Sequence, residues 1–292
     1  MTATQTLGAA CLALASATSF GLASALQHAQ AGQVAQRSAF NPGLLGSLAR
    51  RPQWLLGGAA DILAVVLQGA ALRYGAVALV QPVLVAGLPV AVLLSALYAV
   101  RRLHRREWVG LALCTTGLAL LAPATATTPR GIPPSRVTAL LAGLVLAALT
   151  GCLLLLARRV PRWSGAAAGS AAGIVIGAGS VLLAVCAERV GDLPALLASV
   201  APYAAVAVGL AGLALSQAAF QTGGIGGPLA ALSVVEPVVA VVLAVVVLHQ
   251  RLPSSGLALL GAVVGTVLAV AGVVALTRQG SPLVEPSGQD RE

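Results

Sequence analysis

The chain has 292 residues, of which 58% are hydrophobic and only 9% charged, with a formal net charge of +9. A soluble domain carries about 25% charged residues, so this chain cannot clothe a water-facing surface, and a soluble globular fold is excluded. All seventeen basic residues are arginine, and they cluster between apolar runs, as in "RRLHRRE" (101–107) and "ARRVPRW" (157–163). That is the positive-inside pattern of a polytopic membrane protein, not a nucleic-acid patch, and the lipid bilayer is the expected partner.

A bilayer crossing takes about 20 apolar residues. In chain order, the runs long enough are about 7–28, 54–73, 75–100, 107–124, 137–157, 165–187, 195–220, 227–248 and 255–277. The first lacks a preceding positive charge and is followed by further spans, so it reads as a retained helix and not a cleaved signal. The segment 29–53 carries four glutamines, three arginines and two prolines. It is too polar to span and reads as an amphipathic stretch on the cytoplasmic surface. Residues 126–136 form a loop, and 278–292 read as a disordered cytoplasmic tail.

Arginine placement orients the chain. With the N-terminus outside and the C-terminus cytoplasmic, inner loops and the tail hold Arg37, Arg50, Arg51, Arg101, Arg102, Arg105, Arg106, Arg158, Arg159, Arg162, Arg278 and Arg291. Arg73, Arg130, Arg136, Arg189 and Arg251 fall outside. The expected fold class is therefore all-α, a membrane helix bundle of about nine transmembrane helices.

Two regions share ordered landmarks. One begins at Leu67, "LQGAALRYGAVALVQPVLVAGLPVAVLLSALYAVRRLHRREWVGLAL"; the other begins at Leu215, "LSQAAFQTGGIGGPLAALSVVEPVVAVVLAVVVLHQRLPSSGLALLG". Each has a glutamine within a span (Gln68, Gln217) followed by a glycine turn. Each then has an apolar helix with a polar residue before proline (Gln81–Pro82, Glu236–Pro237) and an "RL" before a last helix. One "RL" is inside and the other outside, so residues 1–125 and 137–277 read as repeats of inverted topology. Such repeats build transporters with a site near the bilayer midplane. The first half has four spans to the second's five, and 29–53 stands where a span is missing.

On these landmarks the chain resembles the drug/metabolite transporter superfamily in its EamA-like form, over nearly all of residues 7–277. The "VVEPVVAVVLAVVVLHQRL" helix and the glycine-rich final helix carry most of the likeness. The short first half, with Asp61 and then "ALVQP" (78–82), also resembles NIPA-type magnesium transporters. The resemblance implies movement of metabolites or ions through a cell membrane and does not choose among substrates.

Few polar residues lie within spans, and ionisable ones there are costly. Asp61 sits mid-span, and Gln68, seven residues on, shares its helical face. The pair makes a polar stripe that either contacts substrate or coupling ion or bonds a neighbouring helix. Pro237 cannot donate to the carbonyl of Ser233, so the helix is locally opened beside Glu236. A freed carbonyl and a carboxylate can hold a cation or exchange a proton, and a packing kink is the plainer reading. Pro82 frees the carbonyl of Ala78 beside uncharged Gln81. Gln217 is equally open to function and to packing. Arg73 reads as an interfacial anchor. His28, His104 and His249 lie at helix ends or in a loop. The spacing of Gly169, Gly173 and Gly177, and of Gly261 and Gly265, fits close helix packing or a homodimer. Cys11, Cys114, Cys152 and Cys186 read as small apolar packers.

The leading expectation is a secondary transporter of a small metabolite or ion working by alternating access. A magnesium or other divalent-cation permease using Asp61 and Glu236 is one alternative, and a non-transporting membrane assembly protein another. There is no HExxH, no Cys/His metal cluster and no nucleotide-binding glycine loop, so no enzyme activity and no cofactor are expected.

Overall fold

A computed structural model of the chain describes residues 3–31, 52–98, 102–125, 132, 134–220, 226–251 and 255–277. The polar segment 32–51, the glycine turn around Gly224, most of the loop 126–136 and the tail 278–292 lie outside the described residues. Every regular element among those described is helical: α1 (Ala3–Ala31), α2 (Pro52–Tyr74), α3 (Val77–Leu84), α4 (Gly87–Tyr98), α5 (Arg105–Thr125), α6 (Arg136–Arg159), a 3₁₀ turn (Pro161–Trp163), α7 (Ser164–Glu188), α8 (Leu193–Ala198), α9 (Ala201–Phe220), α10 (Gly226–Val246) and α11 (Gly256–Thr277).

Seven helical stretches among the described residues are long and apolar enough to cross a membrane: Thr4–Leu26, Pro52–Tyr74, Val77–Leu94, Arg136–Arg159, Pro161–Glu188, Ala201–Ala219 and Gly256–Leu276. The chain is a multi-pass membrane protein. The other two expected spans, 107–124 and 227–248, form α5 and α10 but do not reach that mark. Helix α5 opens on Arg105, Arg106 and Glu107, and the described apolar stretch of α10 runs only from Ala231 to Val246.

Two expected spans are interrupted. The run 75–100 is α3 and α4 joined at Val85–Ala86, where Val85 N–H donates to Pro82 O and Ala86 N–H to Val83 O. Those three-residue steps tighten the backbone between Pro82 and Pro89, neither of which can donate. The run 195–220 opens with the short α8, N-capped by Asp192, whose Oδ1 accepts from Ala195 N–H at 3.1 Å. Ser199–Val200 then separate it from α9, which carries Pro202 in its first turn.

Small residues set the packing. Helix α10 lies along α7, where a Cβ at Gly177 would stand 2.6 Å from the carbonyl oxygen of Glu236, and one at Gly173 would stand 3.1 Å from its amide nitrogen. Helix α11 lies along α5, where a Cβ at Gly265 would meet Gly117 O at 2.7 Å and one at Gly272 would meet Gly110 O at 2.7 Å. Without a hydrophobic driving force in lipid, such backbone approach is how helices gain contact. Helix α1 packs on α2 and α4, and α7 also packs on α6 and α9. The short α3 touches α1, α10 and α5 at the centre of the bundle. Gly169, Gly173, Gly177 and Gly265 thus meet neighbouring helices of the same chain. Cys114 is buried in the α5–α11 contact, as a small packer would be, whereas Cys11 and Cys152 are exposed.

Candidate functional site at the α3–α7–α10 junction

The core cluster draws Ala13 from α1, Ala71 and Leu72 from α2, Val77 and Val80 from α3, Val181, Ala184 and Val185 from α7, and Ala240 and Ala244 from α10. Residues four apart lie on one face of a helix, so Glu236, Ala240 and Ala244 form one stripe. Ala240 and Ala244 are fully buried, and Glu236 is partly buried. Glu236 therefore stands where the apolar cluster ends, with its backbone pressed on Gly173 and Gly177. Among the described residues no side chain bonds to its carboxylate. Pro237 lies inside α10, and the helix runs on to Val246.

One turn beyond Gly177 on α7, Ser180 Oγ accepts from Gln68 Nε2 at 3.0 Å, with both side chains buried. The buried face of α2, Gly57, Ala64, Gln68 and Ala71, is the stripe expected to face the interior. Asp61 belongs to the same stripe by spacing, is half-buried, and is engaged in a contact within the protein. Ser16 Oγ ties α1 to α2 by donating to Ala64 O at 2.7 Å. Gln81 is 1% exposed on α3, and its Nε2 finds no partner among the described residues. A buried unpaired donor is costly, and such a group in a native bundle calls for an explanation. Gln81 and Pro82 occupy the second turn of α3, while Glu236 and Pro237 sit mid-helix in α10. The two polar–proline pairs are on contacting helices but at different distances from the helix starts.

Gln217 is half-buried on α9, which packs chiefly on α7 and only slightly on α10. It stands apart from the Gln68–Ser180 bond. Arg73 does more than anchor: its Nη1 donates to Ala187 O at 3.2 Å and Glu188 O at 3.1 Å, closing the C-terminus of α7. A cation there also meets the negative end of the helix dipole.

Gln250 and Ser180 are not anticipated from sequence. After α10, His249 takes a left-handed backbone with φ of 54°, which turns buried Gln250 back into the bundle. Its Oε1 accepts from Ala78 N–H at 3.3 Å. The N-cap Ala76 has no side-chain cap of its own, so Gln250 supplies an acceptor for one of the orphan amides of α3. A glutamine after an exposed histidine carries no sequence signal of this kind, and Ser180 looks like any helical serine.

The arrangement offers one carboxylate and an in-helix proline at the edge of an apolar cluster, on a helix packed against α3 and α7. It can hold a cation, exchange a proton or hydrogen-bond a small polar molecule. Among the described residues no group of three or more His, Cys, Asp and Glu could hold a metal.

No protein-family model matches the chain, and no solved structure matches it. A protein of Corynebacterium glutamicum, described as uncharacterized, is 30% identical over 269 residues, which cover 85% of this chain and 92% of that one. On that likeness this multi-pass membrane chain belongs to the same family as the Corynebacterium protein.

Proposed function

We propose that the protein is a secondary transporter, of the EamA-like drug/metabolite type, that moves a small metabolite or ion across the cytoplasmic membrane by alternating access. The observation that supports this best is the position of Glu236. A carboxylate with no bonding partner among the described residues, beside an in-helix proline, lies on the interior stripe of α10 where the apolar cluster ends. A charge in such a place is costly, and a purely structural residue would be satisfied by a neighbour. In this scheme nine helices form two inverted repeats, the N-terminus is outside and the C-terminus inside. Glu236 binds the coupling ion or substrate, and Gln68, Gln81 and Gln217 supply hydrogen bonds.

The metabolite reading is preferred to a divalent-cation permease. Asp61 is engaged in its own contact, and α2 and α10 share no extensive contact that would set Asp61 against Glu236. The test is a thermal-stability screen of purified protein with amino acids, nucleosides and Mg²⁺. A ligand at 100 times its Kd stabilises by about 2.7 kcal/mol. Stabilisation by a metabolite that is lost in Glu236→Gln supports the proposal. Stabilisation by Mg²⁺ alone moves it to the cation permease.

A further inference from the structure

Helix α6 stands at the edge of the bundle. Its contacts are chiefly with α7 and the 3₁₀ turn, and none of its residues is buried. On its exposed side lies a shallow open groove of about 460 Å³, lined by Cys152, Leu155, Leu156 and Arg159. The last three stand three, four and seven residues after Cys152, so all share one face of the helix. The groove is therefore apolar over two turns, roughly 10 Å along the axis, and headed by a guanidinium. Arg158 adjoins Arg159. In the 3₁₀ turn Trp163 N–H donates to Val160 O at 3.0 Å, which keeps Arg162 and Trp163 at the same helix end. The three arginines and Trp163 are all exposed. No Asp or Glu occurs between Glu107 and Glu188, and among the described residues no carboxylate pairs with these arginines.

We propose that this end of α6 binds one anionic phospholipid, whose phosphate meets Arg158, Arg159 and Arg162 while an acyl chain lies in the groove from Arg159 towards Cys152. The chemistry matches a lipid at each depth. At the helix end, guanidinium groups hold phosphate oxygens by paired hydrogen bonds, and an exposed tryptophan suits the headgroup level. Deeper along the helix, an apolar trough takes an alkyl chain. A soluble anion would use the arginines and leave the trough empty. An acidic peptide could not follow the trough, because its backbone would lose its hydrogen bonds at that depth. A second copy related by a two-fold axis would set Arg158 and Arg159 against their own counterparts with no carboxylate between them. The arginine cluster at the start of α5 also has a tryptophan beside it, Trp108, but Glu107 lies within that cluster and accepts from His104 N–H at 2.8 Å. The lipid site does not depend on what the protein transports.

The test is tryptophan fluorescence of the full-length protein in vesicles. The chain has three tryptophans, Trp54, Trp108 and Trp163. Two single-tryptophan proteins, with phenylalanine at the other two positions, report on Trp163 and on Trp108. Each is reconstituted in mixtures of phosphatidylcholine and phosphatidylglycerol, with one lipid or the other brominated on its acyl chains. At Trp163, brominated phosphatidylglycerol should quench at a mole fraction about tenfold lower than brominated phosphatidylcholine, whereas at Trp108 the two should differ by about twofold or less. Replacing Arg158, Arg159 and Arg162 together by glutamine should remove the preference at Trp163. Cys152→Phe, which fills the groove and leaves the charge unchanged, should reduce it severalfold. Inorganic phosphate in millimolar excess should leave the quenching unchanged. Equal quenching by the two lipids at Trp163 overturns the site. So does an equal preference at Trp163 and Trp108, which would mean diffuse attraction of acidic lipid to basic loops. Displacement by phosphate would make the arginines an anion site only, and a preference untouched by Cys152→Phe would remove the groove from it; either result overturns the proposal. Absence of quenching by both lipids would put protein over the groove, as in a dimer, and overturn it as well.

Discussion

Two helices in the bundle carry a polar residue followed by proline, and they end differently. In α3, Pro82 is followed by only two more helical residues before the chain turns at Val85–Ala86. In α10, Pro237 is carried through to Val246 without a break in the helix. The proline is the same, so the difference lies in the residues after it and in the helix packed alongside. Pro89 comes two turns after Pro82 and removes a second donor, and between them Gly87 sits against α1, where a Cβ would meet Ala17 O at 2.9 Å. Two missing donors and a close crossing favour a break there. No second proline follows Pro237 in α10, and its turn is braced by Gly173 and Gly177 of α7. The buried amide Gln81 thus belongs to a helix broken within the core cluster, and the partly buried carboxylic residue Glu236 to an unbroken helix at its edge.

The comparison can be broken most severely at the brace. Gly177→Val places a side chain into the backbone of Glu236 and Ala240, which are carbonyl and amide groups that cannot turn away. Overpacking of a tight site costs about 1–3 kcal/mol or more, and the expected result is a clear drop in thermal midpoint and in the yield of folded protein. Gly143→Val on α6, where open space surrounds the position, should leave both near wild type. Equal effects at the two sites would mean that α10 does not depend on the stripe of α7.

A smaller effect is expected at the polar link beside the brace. Gln68→Leu removes the bond to Ser180 and leaves a hydroxyl that can turn to its own helix. Interhelical hydrogen bonds in membranes average about 0.6 kcal/mol, with about 1.7 at most, so the thermal midpoint should fall modestly. A double-mutant cycle with Ser180→Ala should show coupling of that order. Complete loss of transport with unchanged stability would move Gln68 from scaffold to substrate contact.

The smallest change in stability is expected at the prolines. Pro237→Ala restores a donor to a helix that is already continuous, so stability should hold or rise slightly while the rate of transport changes more than the apparent affinity. Pro82→Ala should do less to the rate, because Pro89 and the Gly87–Ala17 crossing still favour the break. If Pro82→Ala instead changes the rate as much as Pro237→Ala, the two prolines have the same role and the contrast between the helices fails.

Much of this layout is legible in the sequence, and the parts that are not have a common cause. Run length and apolarity mark out the helices, and the four-residue spacing of Gly169, Gly173 and Gly177 announces a close partner. The spacing of Asp61 and Gln68 places them on one face. What a stripe faces is a long-range matter. Nothing local says that α10 lies on α7, that α11 lies on α5, or that Gln250 reaches Ala78. The break at Val85–Ala86 is written in Pro82 and Pro89 but is masked by an apolar run long enough to read as one span. Among the described residues seven stretches reach spanning length, while the described parts of 107–124 and 227–248 are too short or too charged to count among them.

The most direct test of the central claim, that Glu236 couples transport, is counterflow and pH-jump uptake in proteoliposomes. The probe is whichever metabolite of the amino acid and nucleoside panel stabilises the purified wild type. Glu236→Gln keeps the side chain's shape and removes its charge. The wild type should take up the probe at a rate that changes with the imposed pH step. Glu236→Gln, inserted and as stable as wild type, should lose that pH response and at least tenfold of the driven uptake, a difference of about 1.4 kcal/mol. Wild-type uptake with wild-type pH dependence in Glu236→Gln would contradict the coupling role and leave the "VVEPVV" stretch as a packing kink on α7.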